Sequence, residues 1–300
     1  MSIFITQLFN GLSLGSIMLL IALGLAITFG LMNVINMAHG ELIMVGAYTT
    51  YVVQQIVSSY LPQQMLAYYF ILAIPLAFLI SAVLGIIIEK TVIRFLYDRP
   101  LDSLLATWGV SLILQQAARS IFGAPNVAVK TPDWLDGGFS ILGATLPYKR
   151  LFILALAVFS IVGLSYFLYK TAIGRKMKAV MLNREMASCL GVSTKKVDSY
   201  AFALGSGFAG LAGCALTVIG PIGPSIGTNY IIDAFMIVIL GGIGKLTGTV
   251  IGALGIGILS TTIEYTTSAT IAKVIVFALI IAFLQWKPSG LVSMRTRSLD

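Results

Sequence analysis

Residues 8–31, LFNGLSLGSIMLLIALGLAITFGL, hold no charged side chain over 24 positions. A helix needs about 20 predominantly apolar residues to cross the hydrocarbon of a bilayer, so this stretch reads as a spanning helix. Similar runs recur near 41–58, 66–88, 103–122, 150–169, 199–219, 246–264 and 270–286, with a shorter one at 230–243. The whole chain has 58% apolar residues, 10% charged residues and a mean hydropathy of +0.98. That leaves too little polar surface to coat a soluble globule. The expected fold is all-α: one polytopic membrane domain over residues 1–300, with about eight to nine transmembrane helices. The N-terminal MSIFITQLFNGLSLG has neither the positive n-region nor the small-residue cleavage site of a signal peptide, and is expected to be retained as the lead into the first span.

The net charge of +8 does not point to nucleic acid, because Lys and Arg flank apolar runs instead of forming an aromatic-interleaved basic face. The positive-inside rule accounts for them. The connection 170–198 carries Lys170, Arg175, Lys176, Lys178, Arg184, Lys195 and Lys196, and 89–102 carries Lys90, Arg94 and Arg99; both are expected in the cytoplasm, with the tail bearing Lys287, Arg295 and Arg297. The uncharged 59–65 and the stretch 123–148, whose charges include Asp133 and Asp136, are expected outside. The N-terminus is then outside too, which calls for an odd number of crossings.

The most polar connection also holds an ordered pattern. Val180, Met181, Met186, Cys189 and Leu190 gather loosely on one side of a helix, opposite Arg184 and Ser188. Gly191 stands where a left-handed cap would end that helix, and Ser193 or Thr194 can start the next. Two readings fit: an amphipathic connector held by anionic membrane lipid, or a helix that fits a groove on a cytoplasmic partner.

The segment EMASCLG, Glu185 to Gly191, resembles the Glu-Ala-Ala-x-x-x-Gly loop that permease subunits of ATP-binding-cassette importers insert into their ATPases. Glu185, Ala187 and Gly191 match, and Met186 replaces the first Ala. ALGLAITFGLMNVINMAHGELIMVGAY (22–48), GRKMKAVMLNREMASCLGVSTKKV (174–197) and AFMIVILGGIGKLTGTVIGALGIGIL (234–259) extend the resemblance to the branched-chain amino acid and urea permeases over nearly the full length. Within that family, RPLDSLLATWGVSLILQQAARSIFGAPN (99–126) is closer to the urea branch. The resemblance implies a permease in a bacterial-type inner membrane, with Glu185, Ala187 and Gly191 as its ATPase-docking residues. Its partners would be two cytoplasmic ATPase subunits, a second permease subunit, identical or homologous, and an external substrate-binding protein. Urea is the implied solute; a branched-chain amino acid or short amide is the alternative.

Within the membrane, NVINMAHGE (33–41) sets Asn33, Asn36, the single His39 and Glu41 between two apolar runs. Polar groups at that depth are costly and should face protein or water, so the segment is either a turn on the cytoplasmic side or a re-entrant element lining the path. Gln115, Gln116, Asp233 and Glu264 are the other pathway or gate candidates. No pattern calls for a cofactor. His39 has no second His or nearby Cys to make a metal site, and Cys189 and Cys214 lack a C-x-x-C spacing. LGGIGKLTG (240–248) is not a phosphate-binding loop, since Ile239 and Leu246 stand where Gly and Ser or Thr are required. ATP hydrolysis is therefore assigned to another subunit, and Gly248, Gly252, Gly255 and Gly257 are expected to serve helix packing.

A weak internal echo pairs 12–47, ending in the run after Glu41, with 203–242, which contains Asp233. The competing class is an ion-coupled carrier or channel that needs no ATPase, with Asp233 and Glu264 as ion sites. An intramembrane enzyme is disfavoured, because one His and no H-E-x-x-H leave little for acid–base chemistry.

Overall fold

The structure is a computed structural model that describes residues 2–32, 34–60, 62, 67–97, 99–141 and 144–292; Asn33, Arg295 and Arg297 lie outside the described residues. The chain runs α1 (Ser2–Met32), α2 (His39–Tyr60), α3 (Tyr69–Thr91), α4 (Pro100–Phe122), α5 (Tyr148–Lys170), α6 (Ala172–Leu182), α7 (Arg184–Cys189), α8 (Thr194–Leu216), α9 (Ile226–Gly241), α10 (Leu246–Thr266) and α11 (Ala269–Trp286). An antiparallel hairpin, β1 (Gly138–Ile141) with β2 (Ala144–Pro147), departs from the all-α expectation within the connection 123–148. Its Gly138 faces Pro147 and its Ile141 faces Ala144. The molecule remains an all-α polytopic membrane protein.

Among the described residues, six helical segments are long and apolar enough to cross a membrane: Thr6–Met32, Tyr69–Phe95, Tyr148–Lys170, Thr194–Leu216, Leu246–Thr266 and Ala269–Trp286. Length and apolarity alone thus support fewer crossings than the eight to nine expected. The shortfall has a cause in composition. α2 carries His39, Glu41, Gln54 and Gln55, α4 carries Asp102, Gln115, Gln116 and Arg119, and α9 has only 16 residues.

Burial ranks the helices. The apolar windows of α1 and α8 are 83% and 78% buried, against 17% for α11, so α1 and α8 form the centre and α11 faces outward. A helix apolar all round belongs in such a centre. Small residues allow the approach: a Cβ on Gly213 of α8 would meet the Ile43 carbonyl oxygen and, at 2.8 Å, the Ala47 nitrogen of α2. Small-residue contacts of this kind drive helix association where hydrocarbon offers no hydrophobic gain. Gly248, Gly252 and Gly257 do sit against opposing backbone, whereas Gly255 has open space before it.

The two stretches of the internal echo pack against each other. α1 meets α8 at Gly24 and Gly205, and α2 meets α9 at Gly40 and Gly227. α1 also packs on α10 through Gly15 and Gly257, while α8 packs on α3 through Ser206 and Gly85. Within the contact of α2 with α9, Glu41 faces Thr228.

The ends of the bundle sort as the loop charges predict. At one end the indole N–H of Trp134 donates to the Ala67 carbonyl (2.6 Å), the Tyr69 hydroxyl donates to the Lys130 carbonyl (2.5 Å), and Arg150 bonds to Asn10. That end therefore gathers the start of α1 with the two connections read as external. The break between α8 and α9 closes there as well, where Val127 and Ile222 exchange two backbone hydrogen bonds of 2.8 Å. This pairing satisfies peptide groups freed by Pro221 and Pro224, as a break in a spanning segment requires.

Candidate functional site

The end of the bundle that carries 170–198 is built around buried charge. Arg184, at the start of α7, makes a two-pronged contact with Asp198 of α8, Nη1 to Oδ1 at 3.0 Å and Nη2 to Oδ2 at 2.5 Å. The Asp198 side chain is fully buried. Beside it, buried Glu89 of α3 accepts from the hydroxyls of Tyr97 and Ser199, both at 2.7 Å. The Arg184 guanidinium lies 5.4 Å from the Tyr97 ring centre. Burial, and then the bond to Glu89, push the Tyr97 phenol well above its ordinary range, which keeps its proton on the donor side. Bidentate charged pairs fix geometry as well as energy, so this network locks α7 to α3 and α8.

α7 itself is short and fully capped. The Asn183 side chain accepts from the Met186 N–H at 2.9 Å, satisfying a free donor of the first turn. At the other end Val192 N–H bonds to the Ala187 carbonyl and Gly191 N–H to that of Ser188, both at 3.0 Å, with Gly191 at φ +80°. This is the Schellman arrangement, which favours glycine at the left-handed position.

Ala187 is buried against the bundle, while Glu185, Met186, Cys189, Leu190 and Gly191 are exposed. The expected single apolar side is thereby corrected. Asn183 breaks the helix, so buried Val180 of α6 faces inward while Met186, Cys189 and Leu190 of α7 face outward. The docking candidates divide by role: Ala187 seats the element, and Glu185 and Gly191 lie on its free surface.

The second site is in the membrane. His39 Nε2 lies 3.2 Å from the carbonyl oxygen of Ile21. A carbonyl only accepts, so Nε2 carries the proton. Ile21 sits 11 residues before Met32, where α1 ends, about 16 Å back along the helix at 1.5 Å per residue. The chain therefore doubles back between α1 and α2, which sets the start of α2 beside the middle of α1. Thr107 of α4 braces the connection, its hydroxyl oxygen accepting from the Met37 N–H at 3.1 Å.

Glu41 is 1% exposed and its Oε1 collects three donors: Gln115 Nε2 at 2.8 Å, Ser111 Oγ at 3.0 Å and Thr228 Oγ1 at 3.4 Å. Among the described residues its Oε2 has no partner, nor do His39 Nδ1 or either polar side-chain atom of buried Asn36. Unsatisfied buried polar atoms are uncommon and call for an explanation. Here four elements converge on one patch of acceptors and donors at membrane depth. Gln116 is not part of it, because one residue along α4 turns a side chain about 100° away and leaves it exposed.

Asp233 and Glu264 belong elsewhere. They line a cavity of about 430 Å³ between α1, α9, α10 and α11, together with Asn229, Ser260 and Lys273. Lys273 Nζ lies 3.4 Å from Asp233 Oδ2.

Several contributors escaped the sequence reading. Thr107 and Ser111 were missed, although with Gln115 they follow one another at i, i+4 and i+8, a polar stripe that the spacing alone reveals. Glu89 and Asp198 were single acids at the ends of apolar runs, and Lys273 lies 40 positions from Asp233. No local pattern announces such pairs.

Against known proteins, the family described as branched-chain amino acid transport system / permease component matches residues 7–284. The chain is 31% identical to the high-affinity branched-chain amino acid transport system permease protein LivH of Salmonella typhimurium, over 96% of this chain and 95% of that protein. It is 28% identical to the corresponding permease protein BraD of Pseudomonas aeruginosa with the same coverage. The ribose import permease protein RbsC of Escherichia coli is 28% identical over 70% of this chain and 64% of its own length. No solved structure matches. A match of this extent, on a bundle of apolar helices, places the protein in the inner (plasma) membrane as a multi-pass transport permease, and the chain belongs to the branched-chain amino acid transport system / permease component family.

Proposed function

We propose that this chain forms the solute path of an ATP-driven importer, that its solutes are branched-chain amino acids, and that α7 docks a cytoplasmic ATPase. The observation that carries the solute assignment is the end-to-end likeness to permeases named for branched-chain amino acids. Urea was expected from residues 99–126, which form α4. What α4 supplies to the membrane site is Ser111 and Gln115 on Glu41, and a carboxylate braced in this way suits an ammonium as well as a urea N–H. The stretch thus gives urea no advantage.

Docking is supported by geometry: a capped helix whose Ala187 is buried offers Glu185, Met186 and Leu190 to the cytoplasm. The Arg184–Asp198 pair would carry a pull on that helix into α8. The full importer would comprise this chain, a second permease, ATPase subunits and an external binding protein.

Uptake of labelled leucine by cells with and without the gene tests the proposal, with excess urea as competitor. Leucine uptake should be lost on deletion, be indifferent to urea, and fail to return with Glu185→Arg although that variant inserts normally. Loss of urea uptake with leucine uptake retained would overturn the solute, and full uptake by Glu185→Arg would overturn the docking.

A further inference from the structure

We propose that the cavity between α1, α9, α10 and α11 is a binding site for a zwitterion with an apolar side chain, resting on the reading above that the solute is a branched-chain amino acid. The cavity, about 430 Å³, lies within the size range of small-molecule pockets. Its wall is of two kinds. Met18, Met236, Ile256, Val276 and Ile280 form an apolar side, and Asp233, Lys273 and Glu264 bring both signs of charge to the other.

A largely buried carboxylate such as Asp233 is expensive in a membrane bundle and marks a function by default. Stability does not explain the pair, since an ion pair with one partner in solvent contributes little. Nor is the pair closed. Lys273 Nζ to Asp233 Oδ2 is 3.4 Å, longer than the 2.7–2.9 Å typical of a tight charged hydrogen bond. The Asp233 side chain is 10% exposed while that of Lys273 is 55% exposed, so the ammonium is free to swing toward a ligand.

A branched-chain amino acid complements each part. Its carboxylate takes Lys273, its ammonium lies between Asp233 and Glu264, and its hydrocarbon meets the apolar wall. Urea, which has no charge and no hydrocarbon, uses neither Lys273 nor that wall. The cavity sits where α10 ends and α11 begins, at the end of the bundle that loop charge assigns to the outside. A solute arriving from an external binding protein meets it first.

The test is saturable binding of labelled L-leucine to the purified full-length chain in lipid nanodiscs. Leucine should displace the label, while leucinamide, 4-methylpentanoate and urea should not, because each lacks one half of the recognised pair or both. Asp233→Asn and Lys273→Gln should each weaken binding about tenfold or more, the cost of one charged hydrogen bond. The swap Asp233→Lys/Lys273→Asp should not restore it, and Val276→Phe, which crowds the apolar wall and keeps the charges, should weaken it. Absence of saturable binding, unchanged affinity in both single variants, or recovery in the swap would overturn the site, recovery in the swap marking the pair as purely structural.

Cell uptake separates this from the importer reading. Gene-dependent leucine uptake that persists in both single variants removes the site and leaves the importer. Gene-independent uptake, with variant-sensitive binding to the purified chain, removes the importer and leaves the site.

Discussion

Replacing Arg184 by Ala should unseat α7, and the cost can be worked from the pair it leaves behind. Asp198 is fully buried and takes two N–H bonds from Arg184. Removing one partner of a buried pair leaves an uncompensated charge and costs about 3–5 kcal/mol. The Arg184 side chain is 39% exposed, so water already solvates part of the guanidinium and can enter where it stood. The lower end, about 3 kcal/mol, is therefore expected. Asp198→Ala removes the charge that needed pairing, and Arg184→Ala/Asp198→Ala should lose little more than Asp198→Ala alone. The four-membered cycle, measured by thermal unfolding of the purified protein in one detergent, should give a coupling of about 2 kcal/mol, within the range found for residues in contact. Limited proteolysis should cut near 184–192 in Arg184→Ala and not in the wild type. Additive effects, within about 0.5 kcal/mol, would refute the claim that this pair clamps α7 to α8.

Two glycines give sharper contrasts. Gly213→Leu should prevent accumulation of folded protein, because its side chain would enter the backbone of α2 at Ile43 and Ala47, whereas Gly255→Leu should accumulate normally, with nothing within 4 Å of a Cβ there; blotting of the membrane fraction reads both. At Gly191 a Cβ also meets open space, but φ is +80°, so Gly191→Ala should cost only the conformational penalty of about 1 kcal/mol by thermal unfolding. Gly191→Pro, which cannot adopt that φ, should break the turn and abolish uptake while leaving insertion intact.

The sequence alone determined that this is an all-helical membrane protein, because hydrocarbon solvent demands long uncharged runs that are visible residue by residue. It also marked the turn after α7, since a left-handed cap favours glycine and Gly191 supplies it. The pathway candidates His39, Glu41 and Gln115 were legible as polar residues in apolar surroundings. Their grouping was not, and neither was the exclusion of Gln116, which depends on the rotation of α4 against α2. Local signals likewise did not distinguish the inward Val180 from the outward Met186, a difference made by the break at Asn183. Tertiary structure alone decided that Arg184 meets Asp198, that Glu41 gathers Ser111, Gln115 and Thr228, and that Lys273 stands beside Asp233. The physical reason is that apolar periodicity tells each helix to enter the membrane but leaves its partner and rotation open. Those are set by where small residues such as Gly24, Gly205 and Gly213 allow backbones to touch, and each polar group then pairs with whatever that contact brings within reach.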